Sequence, residues 1–146
     1  MLDRNFILNL SQKDTDISEY LMSIYNIPVQ INAQVLVELG GGQSSYALTA
    51  AANKTEGQFY SIDVGWGAHL RGFPEGEGIL EKESRFHFVE GDDLEIIKIW
   101  DKKIDFLLHD THHTSPGTLA EIKAWFPWVR NGGIIFAHDT NHEAGD

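Results

Sequence analysis

The sequence predicts an α/β protein, a Rossmann-like doubly wound parallel sheet with helices on both faces. Three observations carry that reading. From residue 35 onward, short apolar runs rich in Val, Ile and Phe alternate with segments of helical spacing. The first run, Val35–Leu39, breaks into Gly40-Gly41-Gly42 and reopens at Ser44-Ser45-Tyr46-Ala47-Leu48, which reads as a strand, a tight turn and a helix start. The second run ends in Asp63, 21 residues past Gly42, about where a ribose-binding carboxylate belongs in a nucleotide-binding βαβ unit.

In chain order, residues 12–25 read as a first helix: Ile17, Tyr20, Leu21, Ile24 and Tyr25 recur at helical spacing, Asp14 or Asp16 is available as a cap, and Pro28 ends it. Strands are expected at 35–39, 58–62, 86–89, 104–109 and 133–138, with helices near 44–53, 76–84, 92–101 and 116–128. Pro116 suits a first helical turn, and Asn131-Gly132-Gly133 signals a turn before the last strand. This divides the chain into an N-terminal helical segment, 1–30, and one cofactor-binding unit, 31–146. The segment 65–78 carries five glycines. It is either a surface connection or a flap that folds Trp66 or Phe73 over a ligand.

Composition narrows the partners. The 146 residues suffice for one domain with a real core, and 42% hydrophobic against 23% charged residues is the profile of a globular chain. No apolar run approaches the roughly 20 residues needed to span a bilayer, and the N-terminus lacks a signal-peptide pattern. The absence of cysteine excludes disulfides and thiolate metal sites, which makes the cytoplasm the default location. A net charge of −11 disfavours nucleic acid and points to a small-molecule partner.

The glycine turn separates two cofactor classes. A dinucleotide fingerprint anchored at Gly40 needs glycine at position 45, which is Ser45 here, so an NAD-dependent dehydrogenase is disfavoured. Instead Glu38 precedes the glycines by two residues. A carboxylate there opposes a pyrophosphate but suits a ligand bearing ammonium and sulfonium groups. With Glu38-x-Gly40-x-Gly42-x-Ser44, the chain over roughly residues 33–142 resembles the class I S-adenosylmethionine-dependent methyltransferases. The resemblance implies that Glu38, Gly40, Gly41, Gly42 and Ser44 line the methionine end of S-adenosylmethionine. It also implies that Asp63 binds the ribose hydroxyls, and that Asp92, within Val89-Glu-Gly-Asp-Asp93, meets the adenine amino group. Ser44 replaces the family's usual third glycine.

The fourth and fifth strands end in Leu108-His109-Asp110-Thr111-His112-His113 and Ala137-His138-Asp139-Thr140-Asn141-His142. Adjacent strand ends should bring Asp110 and Asp139 face to face. Two carboxylates so placed repel unless a cation joins them, and oxygen ligands favour Mg²⁺, Ca²⁺ or Mn²⁺. These segments resemble the metal-assisted small-molecule O-methyltransferases, which implies Asp110 and Asp139 as metal ligands, with Asp110 and His113 in the chemistry. The third ligand is unmatched, and Asn141, His138 and His113 are the alternatives. His69 and His87 read as surface or loop residues, and at least one of His109 and His138 should enter the sheet core as a satisfied neutral imidazole. Trp125, Phe126 and Trp128 read as core packing, with an oligomer contact as the alternative.

The resemblance also implies sheet order 3-2-1-4-5, which the family extends by a further helix and an antiparallel strand pair. No residues follow Asp146 to supply them. The expectation is a shortened relative whose fifth strand is an exposed edge unless a second copy or a partner chain covers it. Cofactor binding should survive that loss better than turnover. Two other readings remain open: a non-catalytic S-adenosylmethionine-binding module, and a metal-dependent hydrolase built on the His/Asp segments.

Overall fold

A computed structural model of the chain describes residues 1–13, 17–67, 73–110 and 115–138. Five parallel strands form one sheet in the order β3-β2-β1-β4-β5, the predicted topology. They are β1 (Val35–Leu39), β2 (Gln58–Asp63), β3 (Phe86–Glu90), β4 (Ile104–His109) and β5 (Val129–Ala137). Alternation along the strands splits their side chains between two cores. Leu36, Phe59, Phe106 and Leu108 face one side, where α1 (Arg4–Leu10), α2 (Leu21–Gln30) and α3 (Ser44–Thr55) cover them. Val37, Leu39, Ile62 and Leu107 face the other, against α4 (Asp93–Ile96), α5 (Ser115–Trp125) and Trp100.

Every residue of α3 from Ser44 to Ala52 is buried, because the helix lies between the sheet and the N-terminal helices. Its Ala-rich sequence permits that close approach on both sides. The helix stops at Glu56, which adopts a left-handed φ of +61°, and the Gly57 N–H turns back to the Ala52 carbonyl at 3.0 Å. At the opposite end of the sheet, Asp105 ties three strands. Its carboxylate accepts from the Gln34 and Val35 amides at 2.7 and 2.9 Å and pairs with Arg130.

Several expectations are corrected. The helix expected over 12–25 starts only at Leu21, as α2 behind a 3₁₀ turn at Ser18–Tyr20, and the unexpected α1 precedes it, capped by the Asp3 carboxylate on the Phe6 N–H at 3.0 Å. The proposed caps Asp14 and Asp16 lie outside the described residues. Pro28 sits inside the last turn of α2 instead of ending it. Proline has no N–H to offer the Ile24 carbonyl, but the helix runs only as far as Gln30, and the Pro28 carbonyl accepts from Ala33 at 2.9 Å. The helix expected over 76–84 is a pair of 3₁₀ turns, Pro74–Gly76 and Leu80–Lys82, separated where Gly78 takes a φ of +85°. That expected over 92–101 is the short α4 running into a 3₁₀ turn at Ile97–Ile99.

Asn131-Gly132-Gly133 is no turn but a bulge within β5. Ile104 and Phe106 pair with Val129 and Ile134, so extra residues bulge from β5, and Gly132 absorbs them at a φ of +86°. Phe73 is not a flap residue; its ring is buried edge-on against Tyr46 at 5.1 Å and Phe6 at 6.0 Å. Trp66 lies on Phe88 and Phe86 of β3, with ring centroids at 5.1 and 5.8 Å. The aromatic trio divides: Trp125 is core, whereas Phe126 is 61% exposed.

A Cβ at Gly57 would lie 2.8 Å from the carbonyl oxygens of Ala33 and Gln34, both backbone atoms that cannot swing aside. Gly57→Ala is therefore expected to lower stability by about 1–3 kcal/mol, read as a lower urea midpoint at unchanged slope.

Candidate functional site

The five strands end at one edge, and a chain of hydrogen bonds carries the ladder past their ends. The Gly40 N–H donates to Ile62 O at 2.8 Å, Gly91 N–H to Asp63 O at 2.9 Å, Asp110 N–H to Leu39 O at 2.9 Å, and His138 N–H to His109 O at 3.0 Å. Gly40–Gly42, Asp63, Gly91-Asp92, Asp110 and His138 thereby form one continuous rim. In an open parallel sheet this is the rim of the ligand crevice, and the reversal of strand order falls between β1 and β4.

At its centre the Asp63 carboxylate accepts from the Gly41 N–H at 2.7 Å and from the Gly65 N–H at 3.3 Å. Asp63 therefore sets the glycine turn as well as presenting an acid beside it. Gly40 holds a φ of +92°, a backbone conformation that favours glycine, and a Cβ built at Gly42 would meet nothing within 4 Å. The turn thus faces open space. Asp92 is exposed and caps α4 through the Leu94 N–H at 2.8 Å.

Glu38 and Ser44 sit behind this rim. The Glu38 side chain points to the α3 face and is fully buried. Ser44 donates to Oε1 at 2.6 Å, and Ser61 to Oε2 at 2.6 Å together with Ser45. Burial dominates, the three hydroxyls offset part of it and the Asp110 carboxylate adds to it, so the Glu38 pKa is pushed up to about 8. The sequence flagged Glu38 and Ser44 but gave no hint that Ser61, one strand over, completes the cradle.

Asp110 is partly exposed at the rim, and its Oδ1 lies 3.2 Å from His138 Nδ1. The Tyr20 ring, from the N-terminal segment, meets the His138 ring edge-on at 5.3 Å. His113, Asp139, His112, Asn141 and His142 lie outside the described residues, as does His69. Among the described residues no group of three His, Asp or Glu could hold a metal ion. The described donors at this end of the rim are Asp110 and His138.

His109, one residue before Asp110, turns the opposite way. Its Nε2 meets Glu121 Oε1 at 2.8 Å, and both side chains are almost completely buried under the sheet. It is the expected core imidazole, but among the described residues its Nδ1 has no partner. Glu121 also hydrogen-bonds Asp93, whose pKa is pushed up to about 8 by burial first and then by that acidic neighbour. Sequence reasoning missed Glu121. The available signal was an acid four residues before Trp125, on the buried side of α5. His87, expected at the surface, is half-buried on β3, stacked on Tyr60 at 4.9 Å and bonded to Gln58 at 2.7 Å.

A parallel sheet in this order, with a glycine turn after β1 and an acid ending β2, defines a Rossmann-like cofactor-binding domain. The chain belongs to a methyltransferase-domain family, whose profile matches residues 37–140. No curated protein matches it by sequence. Solved structures do match in fold. One is the SAH-bound Podospora anserina methyltransferase PaMTH1, with a TM-score of 0.71 and 12% identity over 97% of this chain and 64% of that one. Another is the O-methyltransferase from Bacillus cereus in complex with SAH, at 0.68 and 15% over 96% and 64%. A third is the O-methyltransferase TomG from Streptomyces achromogenes, in complex with SAM, at 0.67 and 16% over 82% and 55%. The chain therefore spans less than two thirds of the length of these structures.

Two buried acids with raised pKa values give a signed expectation. Glu38 titrates from 4.5 unfolded to about 8 folded, and Asp93 from 3.8 to about 8. Between those limits the folded form keeps protons that the unfolded chain releases. Their contribution is thus fully present below about pH 4 and is lost as pH rises through 8. The melting temperature should fall by on the order of 5 °C from pH 6 to pH 8.5. Combining Glu38→Gln with Asp93→Asn should flatten that slope in a thermal-melt series.

Proposed function

We propose that the chain binds S-adenosylmethionine in the rim crevice and serves methyl transfer to a hydroxyl group of a small molecule. The observation that carries this reading is the Asp63 carboxylate holding the Gly41 amide, beside a turn that opens onto free space. S-adenosylmethionine, when bound, supplies an electrophilic methyl group on a positively charged sulfur. Backbone at Gly40–Gly42 lets the ligand approach closely, and Asp63 accepts from ribose hydroxyls while keeping the turn in place. Asp92, exposed beyond β3 as the cap of α4, accepts from the adenine amino group. Behind the turn, the serine cradle holds the buried Glu38 carboxyl against the start of α3 and so fixes where the helix begins.

On the acceptor side the residues available are Asp110 and His138, with Tyr20 against the imidazole. The crevice holds the acceptor oxygen in line with the methyl group, and orientation of this kind supplies much of the rate. Asp110 orients the His138 ring through Nδ1, leaving that pair beside the oxygen whose proton must depart. His113 and Asp139 remain candidates for base and for metal ligand on the sequence resemblance alone. A net charge of −11 supports a small-molecule acceptor over nucleic acid, and the lack of cysteine supports a cytoplasmic setting. No helix among the described residues is long and apolar enough to cross a membrane.

Titration calorimetry tests this reading with S-adenosylhomocysteine and, separately, NAD. The first ligand is expected to bind and the second not to. Asp63→Ala should weaken the first at least tenfold, because it removes a charged acceptor and releases the glycine turn together. Binding of NAD alone would overturn the assignment.

A further inference from the structure

Beneath the crevice lies a polar chain that the proposed reaction does not use. It runs from Asp93 at the start of α4, through Glu121 on α5, to His109 at the end of β4. Its surroundings are apolar: Leu107, Trp100 and Trp125 pack on the same face of the sheet. Burying two carboxyl groups there is unfavourable, and well-packed apolar side chains of similar volume usually do as well or better for stability. The chain is also incompletely satisfied. Asp93 Oδ1, His109 Nδ1 and the nearby Trp125 Nε1 are the buried side-chain atoms without a partner among the described residues. An arrangement this costly needs a reason other than stability.

Its position supplies one. Each end of the chain is one residue from a side chain at the rim. Asp93 follows Asp92, and His109 precedes Asp110. Neighbouring residues on a strand project to opposite faces, so an imidazole held below by Glu121 fixes the peptide that aims Asp110 above. Likewise, Asp93 held in the core fixes the first turn of α4, and with it the Asp92 cap. Two carboxyls can hydrogen-bond only if one carries a proton. The raised Asp93 is that group, and it donates to Glu121.

We propose that Glu121 is a positioning residue that joins the two aspartates of the crevice rim, acting on Asp92 through Asp93 and on Asp110 through His109. The proposal rests on the reading of that crevice as the S-adenosyl cofactor site. It assigns Glu121 no contact with the ligand. Instead, a single carboxylate under the sheet keeps the adenine-side and reaction-side acids in one relative placement.

The test is a set of double-mutant cycles on the full chain, with affinity for S-adenosylhomocysteine measured by calorimetry. Glu121→Gln is expected to weaken binding by about five- to tenfold in the wild-type background. That loss should fall below twofold only when Asp92→Ala and Asp110→Ala are both present, and take an intermediate value with either alone, because Glu121 acts through two residues and each single change removes one of them. Asp93→Ala cuts only the branch that reaches Asp92, so its loss should fall below twofold once Asp92→Ala is present and stay unchanged beside Asp110→Ala, which keeps the proposal testable if Glu121→Gln fails to melt cooperatively. Asp93→Asn, whose amide still donates to Glu121, should keep affinity within twofold of wild type. A general packing role would give equal fold-losses in every background and no rescue by asparagine, and either result overturns the proposal. Wild-type protein that fails to bind S-adenosylhomocysteine would instead remove the cofactor reading, and this proposal with it.

Discussion

The hydrogen bond from the Gly41 amide to the Asp63 carboxylate, 2.7 Å long, is the contact on which the rest of the crevice depends. It joins the turn after β1 to the end of β2, and the Asp63 carbonyl then carries the ladder to Gly91 after β3. An acid already held by a backbone amide has its direction settled before any ligand arrives. Without that contact, a run of three glycines would be the most mobile segment of the rim, since glycine loses the most conformational freedom on ordering. With it, the turn takes the one shape in which Gly40 holds a positive φ and Gly42 faces open space.

The acids of this chain divide by depth, and the division follows from solvation. Asp63, Asp92 and Asp110 reach the rim, where water or ligand can satisfy them. Glu38, Asp93 and Glu121 lie below it, and each depends on protein partners. Glu38 meets three serine hydroxyls, while Asp93 and Glu121 share a hydrogen bond that requires a proton. The two buried sites occupy opposite faces of the sheet, one under α3 and one against α5. The rim is thus supported from both layers by polar groups, although apolar packing would have been the simpler filling.

The N-terminal segment bears on the crevice in a way that its own composition does not announce. Its apolar residues Ile7, Leu10, Leu21 and Ile24 join the core of α3 and the sheet. Through Tyr20 it then reaches His138 at the far end of β5. A stretch that reads as a preliminary helix therefore supplies both cover for one face and an aromatic ring against the β5 end of the rim. Similarly, Phe73 anchors one side of the glycine-rich loop in the core instead of swinging above the crevice.

Local chemistry alone determined the strand–turn–helix unit at 35–55, the acid ending β2, the five strands and, with the family resemblance, their order. Each of these is written in contiguous residues, as a period of two, a period of 3.6, or a glycine where the backbone needs one. Tertiary structure decided what depends on neighbours distant along the chain. Pro28 stays within α2, close to its end at Gln30, and Asn131-Gly132-Gly133 becomes a bulge because β4 pairs on both sides of it. Ser61 meets Glu38 only because β1 and β2 lie side by side. Glu121 meets His109 and Asp93 only because α5 packs on that face of the sheet. Periodicity can place a residue on a face, but the partner of a buried charge comes from whichever element lies against that face, and that is settled only when the layers close.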